Sequence, residues 1–559
     1  MHRTRKVRKD ARVTIGDLFR QLMPLSNNRQ LLTWPPDAFA LTGMVLQRSG
    51  AYKSVVADWP PRGFRGKKPH DWGKFIKDLG AQWHQSCVDS TSPPTQIRKW
   101  WEYILANRKT VLTRVANKKK LTHALLQIFA AADEASAGIG IPPPSGKNPD
   151  KFQDLAAAVL ADQFGRYARS SLCKSIEPTR LIVLPKMHTP QKGITIRSLS
   201  HHLALCPAGE VIPRWVYAPG YLRAPSPFNL LVVPWPTSVV PSDFRVADPE
   251  CGGLMNLPHK YGFFAFDVRG GEAWPARRFE WLLRTAVRHV GSIHGVVLPE
   301  LCLRSKDELG TVWRQIQAIS PGSFLIAGMA EEGKTKPYQS NEVACVLPIP
   351  GGYGELFTQD KHHRWLLDRS QVHNYGLVNQ LDGSRDWWEC IEIKDRHLKF
   401  YSATADLTLC CLVCEDLARL EPISEMIRAV GPNLVVALLM DGPQLPSRWP
   451  ARYATVLAED PGCSVLTLTS LGMALLSRPP SGVAESRAIA LWKDAKSNSV
   501  SQIDLPMDAE AAVLTLTSDC TEEFTADGRS DEGAACHWIL KGVHPIRRIG
   551  KRSAKATST

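Results

Sequence analysis

The segment Leu407–Val413 most restricts the fold of this chain, because it is largely apolar, has no charged residue and ends at a thiol followed by two carboxylates. A short apolar run of this length is typical of a buried strand. It is also far shorter than the roughly 20 residues that a membrane span needs. The residues after the run are Cys414, Glu415 and Asp416. Cys414 is therefore positioned like a nucleophile, and a reactive thiolate requires an electropositive, partly exposed environment.

Two other segments provide the groups that such a cysteine needs. Glu300 ends the apolar run 295–299, and Lys361 lies in the polar turn 359–363. Hydrolysis of an amide or nitrile through a covalent intermediate requires a nucleophile, a base and a cation that stabilises the charged intermediate. We therefore predict Glu300, Lys361 and Cys414 as catalytic residues, with Glu300 within hydrogen-bond reach of the thiol.

The order Glu, Lys, Cys and the flanking residues resemble the carbon-nitrogen hydrolase (nitrilase) superfamily over residues 228–546. Pro299-Glu300 matches the first motif of that family, Asn341 before an apolar run and then Lys361 match the second, and Cys414-Glu415-Asp416 matches the third, particularly as in the glutaminase branch. The resemblance implies that Glu300 is the general base and that Lys361 stabilises the tetrahedral intermediate. It also implies that Cys414 forms a thioester or thioimidate, and that the protein is a homodimer or higher oligomer.

Short β-rich runs alternate with amphipathic helices from Phe228 onward, which is the pattern of layered α/β proteins. Together with the resemblance, this pattern predicts a four-layer αββα sandwich preceded by a mostly α-helical N-terminal domain. The predicted helices are 15–23, 96–131, 152–173, 279–290 and 311–319. The predicted strands are 230–233, 295–300, 324–327, 343–347, 407–413, 434–439, 465–468, 488–491 and 512–516.

The chain divides into five predicted segments. Residues 1–12 form a basic disordered tail, 13–175 a mostly helical domain of unknown role and 176–225 a linker or connecting segment, followed by the nitrilase-like domain 226–546 and a basic disordered tail 547–559. The first 120 residues contain 24 Lys and Arg against 8 Asp and Glu, whereas the remainder is nearly balanced at 45 against 46. This basic region favours an acidic partner such as nucleic acid, or a partner protein, although such regions are often only solvated.

The sequence gives no sign of membrane insertion or secretion, because no apolar run approaches a membrane span and the first residues are charged. The 13 cysteines are an odd number in a long chain, which fits a reducing compartment, and we expect a cytoplasmic protein. Cys411 and Cys414 form a CxxC pair, but residues three apart on a strand point to opposite faces. We therefore predict no metal site and no cofactor.

The residues around the three catalytic candidates have less specific predictions. Many family members have a second glutamate about eight residues after the lysine, and Asp368 is the nearest carboxylate here. Asp368 and Glu415 are therefore secondary candidates for substrate binding. Asp416 is expected to support a helix start, where a carboxylate is favoured. We expect His362 and His363 to be exposed after a turn.

The predicted function is hydrolysis of a non-peptide small-molecule amide. A nitrile is less favoured, because Cys414-Glu415-Asp416 differs from the Cys-Trp-Glu motif usual in true nitrilases. An alternative is a nitrilase-like effector or signalling module, as in bacterial defence, whose N-terminal domain binds nucleic acid or a protein. A third alternative is an inactive scaffold.

Overall fold

The computed structural model describes a mixed α/β protein with several sheets. We number its helices α1–α12 and its strands β1–β20 in chain order. The described residues are 12–23, 30–55, 69–141, 149–161, 171–217, 224–247, 260–331, 339–349, 354–393, 396–477 and 485–547. Most residues of the two predicted basic tails lie outside these ranges.

The first 161 residues contain six described helices. The predicted helix 96–131 is divided in two, because residues 107–118 pair with the start of the chain: the Gly16 N–H donates to Arg108 O at 2.8 Å and the Leu112 N–H to Val13 O at 2.9 Å. The predicted helix 152–173 is described to Ala161, and residues 171–173 are not helical. The helices are α1 (Ile15–Leu22), α2 (Pro35–Ser49), α3 (Pro69–Val88), α4 (Thr95–Ala106), α5 (Lys119–Ala135) and α6 (Lys151–Ala161).

The segment 176–225, for which the sequence predicts a linker, contains three strands. These are β1 (Leu181–Pro185), β2 (Leu203–Pro207) and β3 (Ile212–Tyr217). β1 and β2 form an antiparallel pair, and β3 pairs in parallel with a strand of the C-terminal region. The segment is therefore built into the fold instead of only connecting two parts of it.

The first seven-stranded sheet, sheet I, contains Glu300 in its strand β7. Its strand order is β10-β9-β8-β7-β4-β19-β20. Most of these strands begin or end within a few residues of the predicted apolar runs. The strands are β4 (Phe228–Val232), β7 (Gly295–Leu303), β8 (Phe324–Met329), β9 (Glu342–Pro348), β10 (Gly354–Asp360), β19 (Ala509–Thr521) and β20 (Ala535–Arg547).

A second seven-stranded sheet, sheet II, includes the segment that ends at Cys414. Its order is β18-β17-β16-β15-β14-β13-β3. β14 and β15 have the predicted bounds, because each is a largely apolar run and every residue in it is buried. The strands not yet given are β13 (His397–Thr404), β14 (Leu407–Val413), β15 (Leu434–Leu439), β16 (Ser464–Thr469), β17 (Ala488–Lys493) and β18 (Ser501–Asp504).

The two large sheets contact each other through β7, β9 and β10 of sheet I and β13–β16 of sheet II. Side chains of sheet I alternate between its faces, as strand geometry requires. Leu230 and Val232 join the core shared with sheet II, whereas Leu231 packs with helices. The other helices are α7 (Ala276–Val290), α8 (Lys306–Ile319), α9 (Arg369–Asn374), α10 (Glu425–Val430), α11 (Trp449–Glu459) and α12 (Leu471–Leu476).

A four-stranded sheet lies near the end of β7. Its order is β11-β12-β6-β5, with β5 (Phe244–Val246), β6 (Tyr261–Phe266), β11 (Leu366–Leu367) and β12 (Asp386–Glu389). Its apolar residues form a cluster with Leu301, Tyr375 and Met440, which come from beyond this sheet. Within the described ranges, no helix is both long and apolar enough to cross a bilayer.

Candidate active site

Glu300 lies where β7 bends. The pairing of β7 with β8 changes register between Leu298 and Leu303, and Leu301 has a φ of 52°, which is unusual for a residue with a side chain. Gly328 on β8 allows this bend, because a Cβ at that position would overlap the backbone of Pro299 and Glu300. The local backbone therefore directs the Glu300 carboxylate into the interior.

Cys414 occupies the turn immediately after β14. Its φ of 46° is in the left-handed region, which costs a residue other than glycine about 1–3 kcal/mol. The residue begins a single 3-10 turn, Cys414–Ala418, and the thiol receives a hydrogen bond from the Met440 backbone at the end of β15. A left-handed residue therefore marks both places: Leu301, next to Glu300 within β7, and Cys414 itself after β14.

Lys361 forms ion pairs with Glu300 and with a second carboxylate, that of Glu389. It follows β10, and its backbone N–H donates to Asn341 O at 2.8 Å. Its Nζ lies 2.9 Å from Glu300 Oε1 and 2.7 Å from Glu389 Oε2, and its side chain is fully buried. A lysine ammonium has three donors, so one remains after these two contacts.

Glu389 is the residue that sequence reasoning missed. It ends β12, and its Oε2 also accepts from the Trp365 N–H at 3.0 Å. Asn341 Nδ2 donates to Glu300 Oε1 and to Glu389 Oε1, both at 2.7 Å, so its amide holds the two carboxylates at a fixed separation. Residues 387 and 389 are the buried positions of β12. Glu389 therefore faces the interior, but the segment Asp386-Trp387-Trp388-Glu389 has no alternation of apolar and polar residues from which this could be predicted.

The electrostatics keep the lysine charged and the thiol protonated. Burial disfavours the charged form of Lys361, but Glu300 and Glu389 outweigh it and raise the pKa of Lys361 well above its ordinary value. Burial raises the pKa of Glu300, and the Glu389 charge opposes its ionisation further, against the effect of Lys361. Burial and the Glu300 charge raise the pKa of the Cys414 thiol, although Lys361 and the Met440 backbone act in the opposite direction.

This environment differs from the partly exposed, electropositive one expected from the sequence. Cys414 is only 3% exposed. One lysine is shared by two carboxylates, so a free thiolate is disfavoured. A thiol here needs a base at the moment of attack. Glu300 Oε2 is suited to this task, because it is buried and has no hydrogen-bond partner among the described residues.

Asp368 and Glu415 lie apart from this cluster. Asp368 is exposed and caps α9 by accepting from the Gln371 N–H at 2.8 Å. Glu415 forms an ion pair with Arg419. Neither contacts Lys361, so Glu389 and not Asp368 is the second carboxylate beside the lysine.

The two histidines and Asp416 connect the lysine turn to the cysteine turn. His362 is fully buried, which contradicts the prediction of an exposed pair, and His363 is half-buried. Both contact the buried Asp416 carboxylate: its Oδ2 accepts from the His362 N–H at 3.0 Å, and its Oδ1 lies 2.9 Å from His363 Nδ1. Asp416 therefore supports the turn that begins at Cys414.

One group of residues in the described part of the chain combines metal-ligating side chains away from this cluster. The ligand atoms of His188, Glu523 and His537 lie within 4.8 Å of one another. The two imidazole rings stack with centroids 4.4 Å apart, and His188 Nδ1 lies 3.0 Å from Glu523 Oε1. Glu523 also accepts from the Thr189 N–H. The group joins the loop after β1 to the β19–β20 hairpin through buried hydrogen bonds.

Comparison with known proteins gives solved structures only, since no family model and no curated protein matches. An amidase from Nesterenkonia sp. is 12% identical, with 53% of this chain and 92% of that chain covered and a TM-score of 0.30. Nit3 of Saccharomyces cerevisiae, from branch 10 of the nitrilase superfamily, is 10% identical, with coverage of 51% and 89% and a TM-score of 0.31. A glutamine-dependent NAD+ synthetase from Acinetobacter baumannii is 10% identical, with coverage of 52% and 46% and a TM-score of 0.30. The similarity to nitrilase-superfamily structures thus covers about half of the chain.

Proposed function

We propose that this protein hydrolyses a non-peptide amide through a thioester on Cys414, with Glu300 as general base and Lys361 as the cation that stabilises the intermediate. The observation that supports the proposal most directly is the burial of Glu300 and Lys361 in one contact, 2.9 Å apart, with both charges acting on the Cys414 thiol. Glu300 lies at the bend within β7, Lys361 directly follows β10 and Cys414 directly follows β14.

The proposed reaction uses the Cys414 thiol, the unpartnered Glu300 Oε2 and the remaining N–H of Lys361. The Cys414 sulfur attacks the amide carbon while its proton passes to Glu300, and the remaining N–H of Lys361 stabilises the oxyanion. When the tetrahedral intermediate collapses, the C–N bond breaks and the amine leaves with the proton from Glu300. Water then gives a proton to Glu300 and attacks the thioester, which releases the acid and restores the thiol.

The proposal includes a four-layer αββα arrangement of the C-terminal region. Sheets I and II pack against each other. Apolar residues of α7 and α8 pack with sheet I, and α11 contacts β16 and β17 of sheet II. Binding of nucleic acid or a partner protein by the basic first 120 residues, a cytoplasmic location and homo-oligomerisation stay predictions.

The proposal is tested by incubating the full chain with acetamide, butanamide and pentanamide and measuring ammonia release. We also expect an acyl adduct on the peptide that contains Cys414, detected by mass spectrometry after rapid acid quenching, and hydroxamate formation when hydroxylamine replaces water. Absence of ammonia, adduct and hydroxamate with every amide, including the charged ones described below, would refute the proposal.

Glu389→Gln tests whether Glu389, which contacts Lys361, and not Asp368, which the sequence suggested, is the second carboxylate that positions the lysine. Glutamine retains the size of the side chain but removes the charge that holds Lys361, so we expect kcat to fall by about 100-fold or more. Because Glu389 raises the pKa of Glu300, its neutralisation lowers that pKa. The acid limb of the pH profile of kcat/KM should therefore shift to lower pH.

Asp368→Asn is the matched control for this variant. Asp368 is exposed and contacts neither Lys361 nor Glu300. Its activity and pH profile should stay within about two-fold of the wild type. If Asp368→Asn were the more damaging change, our assignment of Glu389 as the residue that positions Lys361 would be wrong.

A further inference from the structure

Asp441 lies beside Cys414 at the same edge of sheet II. β14 and β15 are parallel and Val413 pairs with Leu438, so Cys414 and Asp441 follow neighbouring strand ends. The Met440 backbone, one residue before Asp441, hydrogen bonds with the thiol. Burial and Glu300 raise the pKa of Cys414 most, and the charge of Asp441 raises it further. Asp441 is therefore a second carboxylate, besides Glu300, whose charge acts on the Cys414 thiol.

The two oxygens of the Asp441 carboxylate have different surroundings. Oδ1 accepts from Tyr375 OH at 3.0 Å, the Gly442 N–H at 2.8 Å and Arg448 Nη2 at 2.6 Å. Oδ2 is buried and has no hydrogen-bond partner in the described part of the chain, although Asp441 is only 3% exposed. An unsatisfied carboxylate oxygen is costly in the interior. Oδ2 can therefore accept a hydrogen bond from a donor group of a bound ligand.

The charges and walls around Asp441 specify what this donor is. Glu300 and Glu389 share Lys361 and Asp441 pairs with Arg448, so in these ion pairs the carboxylates outnumber the cations by one when all ionise. Tyr375, Met440, Trp365 and Leu301 belong to one buried apolar cluster beside Asp441. A short aliphatic chain that ends in an ammonium group matches both properties, because its carbons pack with these residues while its charge meets Oδ2. The five ionisable groups are Glu300, Glu389, Asp441, Lys361 and Arg448.

We propose that Asp441 Oδ2 binds a protonated amine of the substrate, so that the substrates are amides bearing an ammonium group. This inference rests on the proposed amide hydrolysis. It adds a specificity residue, Asp441, to the three residues assigned to the chemistry.

The test compares three amides of similar size and different charge: 4-aminobutanamide, pentanamide and succinamate. We expect kcat/KM of the wild type to be about 10- to 100-fold higher for the cationic amide than for the neutral one, as for a hydrogen bond between charged groups. The anionic amide should be the poorest substrate. Shorter cations, glycinamide and β-alaninamide, then locate the distance between ammonium and carbonyl.

Asp441→Asn should abolish the preference, so that kcat/KM for 4-aminobutanamide falls to within about two-fold of kcat/KM for pentanamide on the same variant. Asparagine presents an N–H where Oδ2 lies, so the cationic amide loses its advantage. The readout is the ratio of the two kcat/KM values within this variant, which a general change of rate leaves unaltered, and a cationic preference that survives would overturn the role of Asp441. Asp508→Asn, at an exposed carboxylate paired with Arg547, is the control for a change of net charge and should keep the wild-type preference.

A binding measurement makes the inference testable apart from turnover. Calorimetry with Cys414→Ala should detect 4-aminobutanamide binding at least 10-fold tighter than pentanamide, and Cys414→Ala/Asp441→Asn should bind both equally. Equal binding in the single variant, or a preference that survives in the double variant, would overturn the role of Asp441. Charge-selective binding without ammonia release or acylation would instead leave Asp441 assigned and refute the proposed hydrolysis.

Discussion

Cys414→Ala is expected to reduce amide hydrolysis by about 10⁴-fold or more. Alanine removes the sulfur that forms the proposed thioester, and the side-chain hydrogen-bond partners of Glu300, Lys361 and Glu389 among the described residues include no other thiol or hydroxyl. The acyl adduct on the Cys414 peptide should disappear together with ammonia release. The measurement is the initial rate with the best amide found for the wild type.

Cys411→Ala is the matched control for this variant. Cys411 is a fully buried cysteine of β14, three residues before Cys414, and its backbone carbonyl accepts from Gln359 Nε2 at 2.9 Å, a contact that alanine retains. The loss of one buried sulfur should lower stability by about 1 kcal/mol and leave the rate within a few-fold. Equal losses in both variants would mean that disturbance of β14 causes the defect, and the nucleophile assignment would fail.

The sequence was informative for short, largely apolar runs. β14 and β15 have the bounds predicted from the sequence, since each run begins directly after a polar residue, Asp406 or Asn433, and is buried throughout. The same reasoning singled out Cys414 and Glu300 as candidates, because a polar side chain that follows a buried apolar run can face the interior edge of a sheet. Glu300 and Lys361 are in contact, although β7 continues three residues beyond Glu300.

Glu389 could not be found in the same way. Its link to Lys361 spans 28 residues and depends on β12 pairing in parallel with β6, a non-local contact. The expected spacing of about eight residues after the lysine predicts Asp368 instead, but Asp368 caps the N-terminus of α9. Burial of His362 was missed for a similar reason, since its contact with Asp416 joins residues 54 apart.

The contacts between the helical N-terminal region and the C-terminal sheets also could not be predicted from the sequence. We predicted two domains joined by a linker, but a loop between β19 and β20 reaches the helices through Arg529. This side chain is fully buried, and its guanidinium contacts Asp133, Glu134 and Asp527 at 3.0, 2.6 and 3.1 Å. No local pattern predicts a contact between residues nearly 400 positions apart.

Arg529→Met is therefore expected to destabilise the protein by about 3–5 kcal/mol, because it leaves buried carboxylates without their cation. Methionine has a similar length, so the loss of packing is small. The control is Lys77→Met: Lys77 pairs at 2.8 Å with Glu532 in the same loop, but Glu532 is 78% exposed, so we expect a change of at most about 1 kcal/mol. Urea unfolding of both variants, followed by circular dichroism, measures the difference.

The pH dependence identifies the charge as the cause of the Arg529→Met effect. Burial opposes ionisation of Glu134, but Arg529 and His202 outweigh it and lower the pKa of Glu134 to about 2. A pKa lowered in the folded state stabilises the protein above the ordinary value near 4.5, and this contribution is lost as the pH falls toward 2. The stability gap between wild type and Arg529→Met should therefore be largest near neutral pH and narrow below pH ~4. A gap that is constant with pH would mean that Arg529 stabilises the junction by packing alone.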